Sequence, residues 1–125
     1  MQVSFGYTSI LKTYWKNGLM PTVTKGLYGD ELTLDNVSLE HIKPHSWSGT
    51  TGLYNLALAS QKKNSKRKNR PLYEVLNLEQ AQKYLNQFKG IDLPDFNGNA
   101  YAYFTGETIR RCLKEQPKKF FHLHA

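Results

Sequence analysis

Four polar residues near the middle of the chain have side chains that could carry out hydrolytic chemistry. They are Glu40 and His41, which are adjacent, followed by Asn55 and Asn64. A histidine titrates near neutral pH and can take a proton from water. A carboxylate and an amide oxygen are hard ligands that suit Mg²⁺ or Mn²⁺, and such an ion stabilises charge on a phosphate. A lone Glu-His pair would indicate nothing, so the prediction depends on the spacing and on the surrounding elements.

A dense positive segment, residues 61–70, surrounds Asn64. It contains six of the chain's 17 basic residues and none of its 10 acidic residues. The six are Lys62, Lys63, Lys66, Arg67, Lys68 and Arg70. A block of this density is typical of a surface that binds a polyanion. A solvated, charged helix face and a disordered arm are the alternatives.

The pattern of residues 37–44 predicts the strand that carries the Glu40–His41 pair. Apolar and polar residues alternate there, and Pro44 ends the segment. Adjacent side chains of a regular strand point to opposite faces, so Glu40 and His41 would face opposite ways. A bulge or an irregular strand end is therefore needed if both side chains are to reach one phosphate.

A loop, a second strand and a helix are predicted next along the chain. Residues 46–52 have the composition of a loop, and residues 55–60 form a second short strand. Ser60 is a candidate N-cap for a helix that continues into the basic segment, whose Lys and Gln residues are good helix formers. Pro71 is expected to close this helix. The predicted order is strand, loop, strand, basic helix.

Helices are predicted on both sides of this unit. The first covers about residues 8–17 and is expected to end at Gly18. Another begins after the N-cap Asn77 and is expected to end at Gly90. The last covers about residues 106–115. Turns, short extended pieces and loops connect these elements. The pattern as a whole predicts one α+β domain.

Length and composition limit the class of protein. A chain of 125 residues suits one domain. No stretch approaches the roughly 20 apolar residues that span a bilayer, and the start of the sequence lacks the charged leader and apolar run of a signal peptide. The single cysteine, Cys112, cannot form an internal disulfide or a cysteine-based zinc site. We therefore expect a cytoplasmic protein with no membrane partner.

The central segment resembles the HNH nuclease motif in its His-Asn-Asn form. The resemblance is carried by Ser38-Leu39-Glu40-His41-Ile42-Lys43-Pro44, then Gly49 and Gly52, then Asn55-Leu56, then Lys63-Asn64. The upstream run Tyr28-Gly29-Asp30-Glu31-Leu32-Thr33 also resembles the segment that precedes the motif in many members. The resemblance covers about residues 25–70, a little over a third of the chain.

Membership of this family would imply a ββα-metal core, in which a two-stranded hairpin packs on a helix around one divalent ion. Flanking N- and C-terminal helices would complete the domain. The resemblance assigns His41 as the general base and Asn55 as the residue that pins the loop between the strands. It assigns Glu40 and Asn64 as ligands of one Mg²⁺ or Mn²⁺ ion.

The resemblance also implies an activity, which is metal-dependent endonucleolytic hydrolysis of DNA by nicking or double-strand cutting. RNA is the alternative substrate, and the products would carry 5′-phosphate and 3′-hydroxyl ends. The basic residues of segment 61–70 would bind the nucleic acid. Compact nucleases of viruses and mobile elements are proteins of this size and kind.

Two features depart from the family pattern. Many members have Asp where this chain has Glu40, so the carboxylate reaches one methylene further. Many members also carry paired cysteines that bind a structural zinc, and no such pairs occur in this sequence. No structural zinc is therefore expected, and packing of Tyr28 and Trp47, or of the additional helices, must replace it.

A nucleic-acid-binding module that keeps the HNH fold without cleavage is the alternative function. It predicts the same basic helix and differs only in what Glu40, His41 and Asn64 do. A pure protein-interaction domain would leave both the basic segment and the His-Asn-Asn spacing unexplained. Three further histidines have alternative roles that the sequence leaves open. His45 could contact the same phosphate, and His122 and His124 have a spacing that could bind a metal.

Overall fold

Helices and two short hairpins form the part of the chain that the computed structural model describes, residues 6–47 and 49–115. The helices are α1 (Gly6–Tyr14), α2 (Gln61–Arg67), α3 (Leu78–Asn86) and α4 (Gly98–Lys114). The strands are β1 (Val37–His41), β2 (Leu56–Ser60), β3 (Asp92–Leu93) and β4 (Phe96–Asn97). Short 3₁₀ turns cover His45–Trp47, Leu53–Asn55 and Leu72–Glu74. The predicted α+β class is confirmed.

β1 and β2 form an antiparallel hairpin with continuous pairing. Five consecutive residue pairs run along it, and the last of them joins His41 to Leu56. Because the register contains no bulge, the alternation of side chains assigns Glu40 and His41 to opposite faces of β1. Every residue of β2 is buried, and its Leu-Ala-Leu-Ala run is typical of a strand that is covered on both sides.

Two buried tyrosines hold the C-terminal helices against β2. The Tyr84 hydroxyl of α3 accepts a hydrogen bond from the Leu58 N–H at 2.9 Å, and the Tyr101 hydroxyl of α4 donates to the Leu56 carbonyl at 2.6 Å. The two hydroxyls lie 2.9 Å apart. Burial raises the pKa of both phenols, so both stay protonated and available as donors. α3 and α4 are thereby fixed relative to the hairpin.

α2 follows β2 without a loop, as the sequence predicts. The Ser60 hydroxyl accepts a hydrogen bond from the Lys63 N–H at 3.3 Å and caps the helix. The helix ends earlier than predicted, at Arg67 and not at Pro71. The next residue, Lys68, has φ of 54°, a backbone conformation that cannot continue a right-handed helix.

The N-terminal helix also differs from the prediction in how it ends. α1 continues into a π-helical turn over Trp15–Leu19, so Gly18 lies inside the helical segment and is not its stop. A Cβ at Gly18 would lie 2.9 Å from the end of the Leu93 side chain, so the helical segment approaches β3 closely here. Trp15 is buried, and its indole N–H donates to the Val23 carbonyl at 2.7 Å.

The C-terminal helices are capped by asparagines. Asn77 caps α3 by accepting a hydrogen bond from the Gln80 N–H at 2.8 Å, as predicted. Asn97 caps α4 in the same way, so this helix begins at Gly98 and the prediction of a start near residue 106 was wrong. Gly106 lies inside α4, where it allows close packing on Leu85 of α3. No helix in the described ranges is both long and apolar enough to cross a membrane.

Candidate active site

Asn55 joins the two ends of the loop between β1 and β2. Its Oδ1 accepts a hydrogen bond from the Lys43 N–H at 2.8 Å, and its Nδ2 donates to the Lys43 carbonyl at 3.1 Å and to the Thr50 carbonyl at 2.7 Å. The loop is tightly folded, since a Cβ at Gly49 would lie 1.8 Å from the Lys43 carbonyl oxygen. This buried amide therefore fixes the path of the chain at Lys43, just after His41.

Asn64 joins α2 to β1. Its Nδ2 donates to the Leu39 carbonyl at 2.8 Å and to the Ser38 hydroxyl at 3.2 Å. Both hydrogen bonds use the amide nitrogen, whereas a cation would need the amide oxygen Oδ1. The asparagine thus has a structural role in this arrangement, and the predicted role as a metal ligand stays a prediction.

Glu40 is buried on the face of β1 that α2 covers, with only 3% of its surface exposed. Its Oε2 accepts a hydrogen bond from the Tyr28 hydroxyl at 2.5 Å and lies 3.7 Å from Nη1 of Arg67. Burial raises the pKa of Glu40, although the Tyr28 hydrogen bond and the Arg67 charge act in the opposite direction. Burial and the charge of Glu40 together raise the pKa of Tyr28.

Arg67 differs from the prediction that it contacts nucleic acid, because it is 1% exposed. Its guanidinium donates to the carbonyls of His41 at 2.8 Å and Ile42 at 2.9 Å, and to the carbonyl of Arg70 at 3.0 Å. It therefore fixes the backbone at the end of β1. The other five basic residues of segment 61–70 are exposed: Lys62, Lys63, Lys66, Lys68 and Arg70.

His41 is half-buried at the last pair of the hairpin. Regular pairing assigns its side chain to the face opposite Glu40, and α2 contacts the strand on the Glu40 face. The structure therefore brings Glu40 and Asn64 to one face of β1 and His41 to the other. The side chain of His45 and all of His122 and His124 lie outside the described part of the chain, so their predicted alternatives stay open.

A basic pocket of about 260 Å³ lies beside the buried Glu40 cluster. Its lining residues are Tyr28, Lys63, Lys66, Arg67, Arg70, Glu74 and Val75. The guanidinium of Arg70 is held over the end of α2, where Nη2 donates to the Lys66 carbonyl at 3.0 Å. Four cations and one carboxylate line this pocket, a balance that favours an anion such as phosphate.

The donor set around Glu40 does not fit a resident divalent metal as its side chains are arranged. The carboxylate already binds Tyr28 and lies beside the positive charge of Arg67, so a second cation there would be repelled. Among the described residues, no group of three or more His, Cys, Asp or Glu is placed to hold a metal ion. A metal at Glu40 would require the carboxylate to leave Arg67.

Two residues of this site were not assigned their observed roles from the sequence. Tyr28 was predicted to replace a zinc site by packing, whereas it hydrogen-bonds Glu40. Arg67 belongs to a run of basic residues that was predicted to lie on the surface. The signal for a different role is its spacing of three residues from Asn64, which places both residues on one face of α2. No protein-family model matches the chain, and the comparison with curated proteins gave no similar sequence.

Proposed function

We propose that the chain is an endonuclease of the HNH type, which hydrolyses phosphodiester bonds of DNA with His41 as its general base. The observation that carries the proposal is the pair of asparagine contacts around β1. Asn55 fixes the loop that follows His41, and Asn64 fixes the basic helix against the strand that bears it. These contacts support the proposal because the resemblance assigns Asn55 the task of pinning this loop and places Asn64 on the helix that follows the second strand.

In the proposed reaction, a few residues activate water, bind the nucleic acid and position the general base. His41 takes a proton from a water molecule, whose oxygen attacks the phosphorus; the bond from phosphorus to the leaving 3′-oxygen breaks, and that oxygen takes up a proton from solvent water to become the 3′-hydroxyl. Lys63, Lys66 and Arg70 lie exposed at one basic pocket and would neutralise charge on the nucleic acid. Arg67 acts on His41 indirectly, because it holds the carbonyl of that residue and so the end of the strand.

The decisive test is nicking of a supercoiled plasmid by the wild type and by His41→Ala, with Mg²⁺ or Mn²⁺ present. Loss of a general base should lower the rate by about 10²–10⁴-fold, while binding to DNA stays nearly unchanged. His45→Ala serves as the matched control and should cleave normally. Near-normal cleavage by His41→Ala would refute the assignment of His41 as the general base. Loss of cleavage by His45→Ala would indicate that His45 is the general base instead. A parallel reaction with RNA tests the choice of substrate.

A second function, nucleic-acid binding without cleavage, is favoured by the contact between Glu40 and Arg67. A carboxylate that neutralises a buried arginine is less available to a metal ion than a solvated one. This reading predicts DNA binding by the wild type, measured by fluorescence anisotropy, with no nicking in either Mg²⁺ or Mn²⁺. Cleavage by the wild type that His41→Ala abolishes would exclude it.

A further inference from the structure

Three aromatic rings form a continuous exposed strip beside the loop that Asn55 fixes. Tyr54 is 38% exposed, Phe104 47% and Tyr103 60%. The rings of Tyr54 and Phe104 lie 5.0 Å apart between centroids, and those of Phe104 and Tyr103 lie 5.1 Å apart. Side chains this large are normally buried, and an exposed cluster of them marks a binding surface.

A groove of about 380 Å³ continues from this strip toward the end of β1. Tyr54 is one of its lining residues, Asn55 and Lys43 line the loop side, and Thr108 and Arg111 line the α4 side. Phe104, Thr108 and Arg111 follow one another at helical spacing and share a face of α4. The aromatic strip and the groove are therefore one surface, which reaches the loop that follows His41.

The charges around this surface favour an anionic ligand. Lys43 and Arg111 line the groove, and Lys89 and Arg110 line a second pocket of about 250 Å³ that also includes Tyr103. Two of these cations have carboxylate neighbours, since Lys43 lies 3.6 Å from Glu115 and Arg110 lies 3.1 Å from Glu107. The four cations nevertheless outnumber the two carboxylates, and they flank the rings on both sides.

We infer that this surface binds an unpaired stretch of nucleic acid, with its bases stacked on Tyr54, Phe104 and Tyr103 and its phosphates near the flanking cations. Every base offers a flat ring that can stack on an exposed aromatic side chain, whereas the bases of a duplex are stacked on one another. The inference rests on the proposed function, since it adds a feature of the substrate next to the proposed cleavage site. The site is separate from the exposed lysines of α2.

The test measures binding of a labelled ten-nucleotide oligo-dT and of a duplex of equal length, by fluorescence anisotropy with EDTA present. Phe104→Ala should weaken binding of the single strand by roughly 5- to 150-fold, the loss expected for one stacked base, and change duplex binding little. Phe104→Trp should retain the affinity, because it keeps a ring. Tyr73→Ala is the matched control, because Tyr73 is also 40% exposed but lies in the turn beside the α2 pocket.

Three results of the binding measurements would overturn the inference. They are an unchanged affinity of Phe104→Ala, an equal loss with Tyr73→Ala, and an equal loss for the single strand and the duplex. A wild type that dimerises in sedimentation, with Phe104→Ala monomeric, would identify the strip as an interface between copies and also overturn it. Failure of the nuclease proposal would give a different result. The wild type would then not nick the plasmid, but Phe104→Ala would still bind the single strand more weakly than the wild type does.

Discussion

Glu40 and Arg67 place opposite charges in the interior, and Tyr28 completes the cluster with its hydroxyl. Removing two ions from water costs free energy, which their attraction and their hydrogen bonds must offset. Arg67 satisfies this requirement with the carboxylate and with backbone carbonyls at the end of β1. Replacing one partner of such a pair typically costs about 3–5 kcal/mol, because the other charge is left buried and unpaired. The cluster therefore couples stability to the geometry of His41.

The raised pKa of Glu40 predicts how stability changes with pH. Below its ordinary value of 4.5 the carboxyl is protonated in both the folded and the unfolded state. Between 4.5 and the raised value, the folded state holds the proton more tightly, so the free energy of unfolding falls as the pH rises. We expect this decrease in the wild type relative to Glu40→Gln, which cannot titrate, in urea unfolding of both proteins across that window. A difference that rises with pH would show that Arg67 and Tyr28 outweigh burial.

At the scale of elements, α2 is too short to be stable alone and depends on its contacts. A helix of seven residues is marginal in water, so the Ser60 cap and the hydrogen bonds of Asn64 to β1 must hold it. These contacts use its inner face and leave its lysines on the outer face. The helix is thus a support for β1 on one side and a positive surface on the other.

The outer face of α2, together with Arg70 just beyond its C-terminal end, should dominate the salt dependence of DNA binding. Replacing Lys63, Lys66 and Arg70 together with Gln should lower the slope of log affinity against log salt by about two to three, since each phosphate contact contributes roughly 0.9. The matched control replaces three exposed lysines on other elements, Lys16, Lys25 and Lys83, with Gln and removes the same charge. Equal slopes for the two triple variants would show that binding depends on net charge and not on this helix.

Elements with a strong local signal were predictable from the sequence, and those decided by packing were not. Ser60 and Asn77 indicate where their helices begin, because a capping side chain hydrogen-bonds residues that follow it directly in the sequence. The start of α4 was missed because the glycine within it weakens a helical pattern, and only contact with Leu85 explains Gly106. The contacts of Arg67 could not be predicted either, because the burial of this cation depends on a strand whose last residue, His41, is 26 positions away in the sequence.

At the scale of the whole molecule, one apolar core joins most of the described elements. The described residues pack into one apolar cluster that includes residues from α1, α3 and α4 and from the central hairpin. Structural zinc sites normally use about four cysteine or histidine ligands, and small domains that depend on them unfold when the ion is removed. We expect no such dependence here.

Chelation should therefore separate activity from stability. In one EDTA-treated sample, plasmid nicking should vanish and return on adding Mg²⁺ or Mn²⁺, while the thermal melting curve stays in place. This outcome would support the divalent cofactor predicted from the sequence and would require Glu40 to exchange its partners when substrate binds. A collapse of the fold on chelation would indicate a structural ion, with His122 and His124 the first residues to test. Cleavage that survives chelation would refute the metal-dependent mechanism.

The tyrosines that bind β2 have a consequence for self-association. A two-stranded sheet has open edges, and the unpaired backbone groups of such an edge can recruit a strand from another molecule. Along the outer edge of β2, the Leu56 carbonyl and the Leu58 N–H are hydrogen-bonded to tyrosine hydroxyls. The Leu58 carbonyl accepts a hydrogen bond from the Leu27 N–H at 2.8 Å. An added strand would have to displace all three contacts. Two tyrosine hydroxyls and one backbone N–H thus close this edge of β2, although the strand has the apolar composition of an aggregating segment.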